Sequence, residues 1–111
     1  MTILYQDFEK VDIRSGTITK VEQFPEARKP AYKIWVDFGP EIGIKQTSAQ
    51  VTHHYNPENL VGKQVAGCVN LGTKKIASFA SEFLLLGFPD ADGKISLIFP
   101  NPIVPNGSKL C

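Results

Sequence analysis

The sequence predicts an all-β fold, a five-stranded Greek-key barrel with a short helix. Short segments of β-forming residues recur along the chain, and 9 glycines and 8 prolines are spread between them as turns. The 111 residues make one domain, residues 1–111, with 42% hydrophobic and 21% charged residues, an ordinary globular composition. This composition excludes a disordered chain, and a net charge of +1 excludes a strongly basic coat protein.

The first elements are a short helix and a long strand. Leu4 and Phe8 are spaced i, i+4, which predicts an amphipathic helix over residues 4–10. Residues 13–21 are rich in isoleucine, threonine and valine and predict a strand. Because a glycine interrupts that strand, we expect Gly16 to mark a bulge or a strong bend.

The clearest strand covers residues 33–38. Ile34, Val36 and Phe38 alternate with polar or amphipathic residues, so these three side chains are predicted to face the core. Trp35 then lies on the opposite face. It is interpreted either as a binding residue or as a side chain that packs under a loop or a subunit.

A turn at residues 39–41 leads into a further strand over residues 42–48, which makes a hairpin. Residues 48–60 predict a second helix. Ser48 is its expected N-cap, and the Asn-Pro pair at residues 56–57 is expected to break it.

The second half of the chain predicts three more strands. Residues 64–71 form one, followed by a loop at residues 72–75. Residues 82–88 and 94–99 form a pair across the turn at residues 89–93. Together these segments make five or six short strands with a helical segment before the fourth, an order that fits the OB-fold. A small β-sandwich is the structural alternative.

No set of residues predicts catalysis, a metal site or a cofactor site. His53 and His54 are adjacent and lack partners at helical spacing, so they are expected on the surface. Cys68 lies in a predicted strand and is interpreted as a small buried hydrophobe. No disulfide to Cys111 is expected. We therefore expect a protein that is not an enzyme.

No membrane insertion is predicted. The chain starts without a basic segment, and the longest apolar run, which begins at Phe83, is far shorter than the roughly 20 residues that span a bilayer. These features predict a cytoplasmic protein.

The basic residues are concentrated in the middle of the chain. Residues 42–81 contain four lysines and one glutamate, a net charge of +3, against −2 for the remainder. In an OB-fold these residues surround the binding face, although lysines also favour solvated loops generally. Phe79 lies in a polar stretch of this region, where it could stack on a base or contact an apolar ligand.

Several segments together resemble the tRNA-binding OB-fold family, and within it the export-related chaperone branch. Asp-Ile-Arg-Ser-Gly-Thr-Ile at residues 12–18 is similar to the family's opening strand. Further family segments lie at residues 37–39, 43–50, 60–65, 69–71 and 74–76. Segments especially similar to the chaperone branch lie at residues 24–28, 42–46, 81–82 and 105–107.

The resemblance implies a homodimer that carries no cofactor and is built through N- and C-terminal extensions. It implies unfolded or precursor polypeptides as ligands, with the secretion motor SecA as a partner, or tRNA as in other family members. Glu82 is a negative charge where tRNA-binding members tend to have a small neutral residue, which favours polypeptides. The candidate peptide- or RNA-binding residues are Trp35, Lys45, Asn70, Lys74, Lys75, Phe79, Ser81 and Glu82.

Overall fold

Five antiparallel strands form a curved sheet that almost closes into a barrel. The computed structural model describes all 111 residues. The strands are β1 Ile13–Gln23, β2 Tyr32–Asp37, β3 Ile44–Ala49, β4 Gln64–Cys68 and β7 Leu84–Leu85. They lie side by side in the order β3-β2-β1-β4-β7. The predicted five-stranded barrel is confirmed.

Two short helices and two hairpins complete the fold. The helices are α1 Tyr5–Glu9 and α2 Pro57–Leu60. One hairpin joins β5 Lys74–Ile76 to β6 Phe79–Ser81, and the other joins β8 Gly87–Pro89 to β9 Ile95–Leu97. None of the helices is long and apolar enough to span a membrane.

The core lies inside the barrel and follows the predicted alternation of β2. Ile34, Val36 and Phe38 are fully buried, with 0% exposure each. The ring of Phe38 meets that of Phe83 edge to face, with centroids 4.9 Å apart. Gly67 lies directly above both rings, where an added Cβ would be 2.8 Å from Phe38 Cζ. The absence of a side chain at this glycine therefore makes room for the aromatic pair.

The expected bulge at Gly16 is wrong. Gly16 pairs in regular register with Val65, and the register of β1 shifts instead between Ile18 and Lys20. An added Cβ at Gly16 would lie 2.5 Å from Val36 Cγ1. Glycine is required here because β1 packs closely on Val36 of the core.

The predicted helix over residues 48–60 is also wrong in most of its length. Ser48 lies in β3, opposite Lys33 of β2. The Asn-Pro pair begins the helix instead of breaking it, because the Asn56 side chain accepts from Asn59 N–H at 2.8 Å. Proline is favoured at the first helical position, where its missing N–H has no partner to lose.

The predicted loop over residues 72–75 is half strand, because Lys74 and Lys75 belong to β5. The predicted pairing of residues 82–88 with 94–99 holds for β8 and β9, whereas Leu84–Leu85 pairs with β4. The predicted burial of Cys68 is confirmed. Cys68 is buried, Cys111 is exposed, and both are free.

The C-terminal segment is anchored along the first half of β1, on the edge that β2 leaves open. Ser15 N–H donates to Ser108 C=O at 3.0 Å, and Gly107 N–H donates to Ser15 C=O at 2.8 Å. Gln64 adds a side-chain bond on each side of Val104: its amide donates to Val104 C=O at 2.6 Å, and its carbonyl accepts from Val104 N–H at 3.0 Å. The end of the chain is thus part of the folded unit.

Candidate functional site

Three aromatic side chains meet outside the barrel core, and we call Phe24, Trp35 and Phe79 the aromatic cluster. The Phe79 ring centroid lies 5.5 Å from that of Phe24 and 5.9 Å from that of Trp35, both edge to face. Phe24 is buried, and the other two are half-buried. Trp35 therefore packs under the β5–β6 hairpin and still keeps part of its ring in solvent.

Two lysines lie over these rings. Lys33 Nζ is 4.9 Å from the Phe24 centroid and 5.1 Å from the Phe79 centroid. Lys20 Nζ is 4.7 Å from the Trp35 ring and 3.0 Å from the Glu22 carboxylate. Each cation–π contact at such an exposed site contributes about 0.5–1 kcal/mol. The result is a surface with apolar rings below and positive charge above.

The sequence indicated Trp35 and Phe79 as candidate site residues. It did not indicate the three side chains that contact them, which are Phe24, Lys20 and Lys33. Lys20 lies opposite Trp35 on the neighbouring strand, and Lys33 lies two residues before Trp35 on the same face. The position of Lys33 follows from strand alternation. The position of Lys20 does not, because it depends on the pairing of β1 with β2, whose register shifts between Ile18 and Lys20. Phe24 comes from the loop after β1, and no local pattern places it against a hairpin far along the chain.

Ser81 and Glu82 attach the β5–β6 hairpin to β3. Ser48 N–H donates to Ser81 Oγ at 2.9 Å, and Gln46 N–H donates to Glu82 Oε1 at 3.0 Å. Glu82 N–H returns a bond to Gln46 C=O at 2.8 Å. At the barrel closure, the side chains of Ser81 and Glu82 therefore bond backbone N–H groups of β3 that have no partner strand there. Both residues were predicted to bind a ligand.

Asn70 is also engaged within the fold. Its side-chain carbonyl accepts from Asp12 N–H at 3.0 Å, and its amide donates to Lys10 C=O at 2.7 Å. The side chain therefore ties the end of β4 to the segment between α1 and β1.

The candidate lysines do not form one ring around the aromatic cluster. Lys74 and Lys75 are exposed on β5, in the hairpin that carries Phe79. Lys45 shares a face of β3 with the buried Thr47, whereas the neighbour of Trp35 on β3 is Gln46. Lys45 therefore points to the opposite side of the strand from Trp35.

A groove of about 960 Å³ lies beside the barrel closure, and we call it the seam groove. One wall is residues 48–51 at the end of β3, and the other is residues 84–87. Its remaining lining is aliphatic or charged and includes no aromatic ring. The charged side chains are Glu26, Arg28, Lys29 and Lys75. Of the predicted site residues, only Lys75 lines this groove.

Two groups have clearly displaced pKa values, and neither lines the groove. A hydrogen bond to the Asp12 carboxylate raises the pKa of Arg14, whose guanidinium also donates to Gly107 C=O at 2.9 Å. The backbone N–H of Lys94, followed by the side chain of His54, lowers the pKa of Asp90. Both groups stabilise turns and segment ends.

Residues 13–109 match the family model described as "Putative tRNA binding domain". The chain belongs to this tRNA-binding domain family. Among curated family members, the methionine--tRNA ligases of Porphyromonas gingivalis and Parabacteroides distasonis are each 38% identical over 97% of this chain. The chain spans only about 15% of the length of those ligases.

Solved structures of the same family superpose on the whole chain. The chaperone CsaA from Bacillus anthracis is 46% identical with a TM-score of 0.92, covering 100% of both chains. The CsaA chaperone protein from Picrophilus torridus is 44% identical with a TM-score of 0.93, covering 99% of this chain and 100% of that one. A MetRS related protein from Pyrococcus horikoshii is 28% identical with a TM-score of 0.88.

Proposed function

We propose that the protein is a chaperone that binds unfolded or precursor polypeptides without catalysis, ATP or a cofactor. The observation that carries this proposal is the end-to-end likeness to two CsaA chaperones at 44–46% identity. The likeness to methionine--tRNA ligases, by contrast, covers only a small part of those proteins. Fold alone does not imply function, so the surface chemistry must support the proposal separately.

The seam groove supplies suitable chemistry. Leu84 is 51% exposed and lines the groove beside Ile76 and Leu86, so an unfolded chain can bury apolar side chains there. Arg28 and Lys29 lie at the same groove and attract acidic flanks of a client. A protein that binds the unfolded state removes it from aggregation by mass action and needs no chemical step.

The test is suppression of client aggregation, followed by light scattering as a thermally unfolded enzyme aggregates. We expect Leu84→Ser to reduce suppression severalfold, because it places a hydroxyl in the apolar groove. The matched control is Leu71→Ser, since Leu71 is 64% exposed and lies outside the groove. Equal activity of both variants and the wild type would contradict a groove-based chaperone.

The aromatic cluster is proposed as a second apolar contact. Trp35→Ala and Phe79→Ala are expected to weaken client binding, with Lys74 and Lys75 as the nearby charges. Because the rings also pack on one another, each variant is first checked by thermal unfolding. Unchanged suppression in a folded double variant would remove these residues from the site.

A tRNA-binding role is the second candidate, favoured by the family match over residues 13–109. Lys74 and Lys75 are exposed together and would contact phosphates. Binding should then fall by about 0.7–0.9 decade per contacted phosphate for each decade of salt. The double variant K74A/K75A should lower that slope, while Lys94→Ala, which removes a lysine from the β8–β9 turn, serves as control. Affinity independent of salt would refute this role.

A homodimer is proposed as the working form, with SecA as a partner and the cytoplasm as the location. The N-terminal segment exposes Ile3 and Leu4, and the C-terminal segment exposes Ile103 and Leu110, each at 50% or more. Exposed apolar side chains of this size on two extensions are typical of an interface. Light scattering on Ile103→Asp should give half the mass of the wild type.

A further inference from the structure

We propose that the seam groove binds its client as an added β-strand, with the client backbone pairing to the free edge formed by Leu85 and Gly87. This inference rests on the proposed chaperone function and specifies how the groove recognises a polypeptide. The occupant is an extended segment with alternating apolar residues and acidic flanks.

The direction of the backbone bonds identifies the free edge. Leu86 N–H donates to Ala66 C=O at 3.0 Å, and Leu86 C=O accepts from Ile98 N–H at 3.3 Å. Hydrogen-bonding groups alternate between the two edges of a strand, so Leu85 and Gly87 direct their N–H and C=O groups the other way.

That other edge faces β3 across the groove. Thr47 Oγ1 donates to Phe83 C=O at 2.7 Å, so the carbonyl two residues before Leu85 points towards β3. Strand alternation gives the carbonyl of Leu85 the same direction. Apart from the bond of Thr47 to Phe83, no sheet pairing joins the two walls of the groove, because β7 pairs only with β4. Leu85 and Gly87 thus present two N–H and two C=O groups along one side of the groove. Pro89 ends this edge because it lacks an N–H.

The groove's other chemistry favours a polypeptide over RNA. Ile76, Leu84 and Leu86 are aliphatic, and base recognition on a single strand uses aromatic rings that the groove lacks. Three cationic side chains against Glu26 give the rim a positive balance, which suits acidic flanks. A free strand edge is the structure to which an extended peptide binds directly.

The first test alters the client backbone. A fluorescent peptide of alternating valine and threonine, with aspartates at both ends, is titrated by anisotropy. Two further peptides carry N-methyl groups on every second amide, in the two opposite phases. Strand pairing predicts that methylation in at least one phase weakens binding about tenfold or more. Undiminished binding of both methylated peptides overturns strand addition and leaves the chaperone proposal intact. If neither the parent peptide nor an unfolded client binds, the chaperone proposal itself fails.

The second test alters the protein edge. L85P and L85A both remove the leucine side chain, and both leave the backbone bonds of Leu86 in place. Only L85P also removes the N–H of residue 85, which faces the groove. We expect L85P to bind the parent peptide about tenfold more weakly than L85A. Equal affinities in folded proteins would refute the edge. If L85P does not fold, the methylated peptides still decide.

Two other occupants are outcomes of the same experiment. If L85P differs from L85A in mass by light scattering but not in peptide affinity, the edge is a contact between copies of this chain. If the two variants differ in affinity for a single-stranded oligouridine but not for the peptide, the groove binds RNA. Either result overturns the proposal.

Discussion

Two substitutions at Glu82 separate the hydrogen bond that its side chain accepts from the negative charge that it carries. Its Oε1 accepts from Gln46 N–H at 3.0 Å where the barrel closes, and the same residue carries a negative charge in the region proposed to bind clients. Replacing Glu82 by glutamine keeps a carbonyl acceptor and removes the charge. Replacing it by alanine removes both.

The magnitudes follow from the bond. A hydrogen bond to a charged group contributes about 1.5–3 kcal/mol, so Glu82→Ala, which leaves the Gln46 N–H without its acceptor, should lower the free energy of unfolding by that amount. At roughly 4 °C per kcal/mol for a domain of this size, Tm falls by about 6–12 °C. Glu82→Gln keeps a weaker neutral bond and should cost about 1 kcal/mol.

Thermal unfolding followed by circular dichroism measures the stability difference. Hydrogen exchange of the Gln46 amide localises it, because exchange should accelerate in the alanine variant far more than in the glutamine variant. Glu9→Ala is the control, since Glu9 is exposed on α1. Equal destabilisation by alanine and glutamine at position 82 would refute the assigned bond.

The same pair of variants tests the electrostatic argument. Two unit charges about 8 Å apart in water interact by roughly 0.5 kcal/mol, so Glu82→Gln should raise tRNA affinity about twofold at low salt and not at high salt. An unchanged affinity at low salt would show that this carboxylate does not oppose phosphate.

Three further predictions concern stability, measured by urea unfolding. Gly67→Ala should cost about 1–3 kcal/mol because its methyl group would lie 2.8 Å from Phe38 Cζ, and shrinking Phe38 to leucine in the same chain should recover part of the loss. Ala77→Gly should stabilise by up to about 1 kcal/mol, since Ala77 has a φ of +53°, whereas Ala80→Gly in the adjoining strand should destabilise. The lowered pKa of Asp90 means that its carboxylate contributes stability above about pH 4, and that this is lost as pH falls through the folded-state pKa. Asp90→Asn should therefore flatten the pH dependence below about pH 4, and an unaltered curve would contradict the assignment.

The barrel was predictable where the pattern is local. The alternation of Ile34, Val36 and Phe38 placed β2 correctly, because a period of two depends only on neighbouring residues. The helix starting at Ser48 failed because serine caps helices but also fits a strand, and pairing with Lys33 decided between them. The Asn56-Pro57 pair is a helix start and not a helix break, because Asn56 caps the helix and Pro57 is its first residue.

The site was predictable only in part, for a different reason. Trp35 and Phe79 stood out individually as aromatic residues in polar surroundings, but their contact depends on a hairpin that folds across β3. No sequence pattern predicts the seam groove, because it forms where residues 48–51 and 84–87 lie side by side without pairing. Bonds that form between distant residues can be inferred from a family resemblance, but not from periodicity.

The incomplete closure of the barrel links stability to function. At one end of the seam, β3 is bonded to residues 81–83 through the side chains of Thr47, Ser81 and Glu82 and through the Glu82 N–H. No sheet pairing joins β3 to β7 at the other end. A fully paired barrel would have no free edge and no groove, whereas a wholly open one would expose a long edge that promotes aggregation. The short edge that remains, limited by Pro89, is the one that we propose pairs with an extended client segment. On this reasoning, a variant that tightens the seam should become more stable and a poorer chaperone at once.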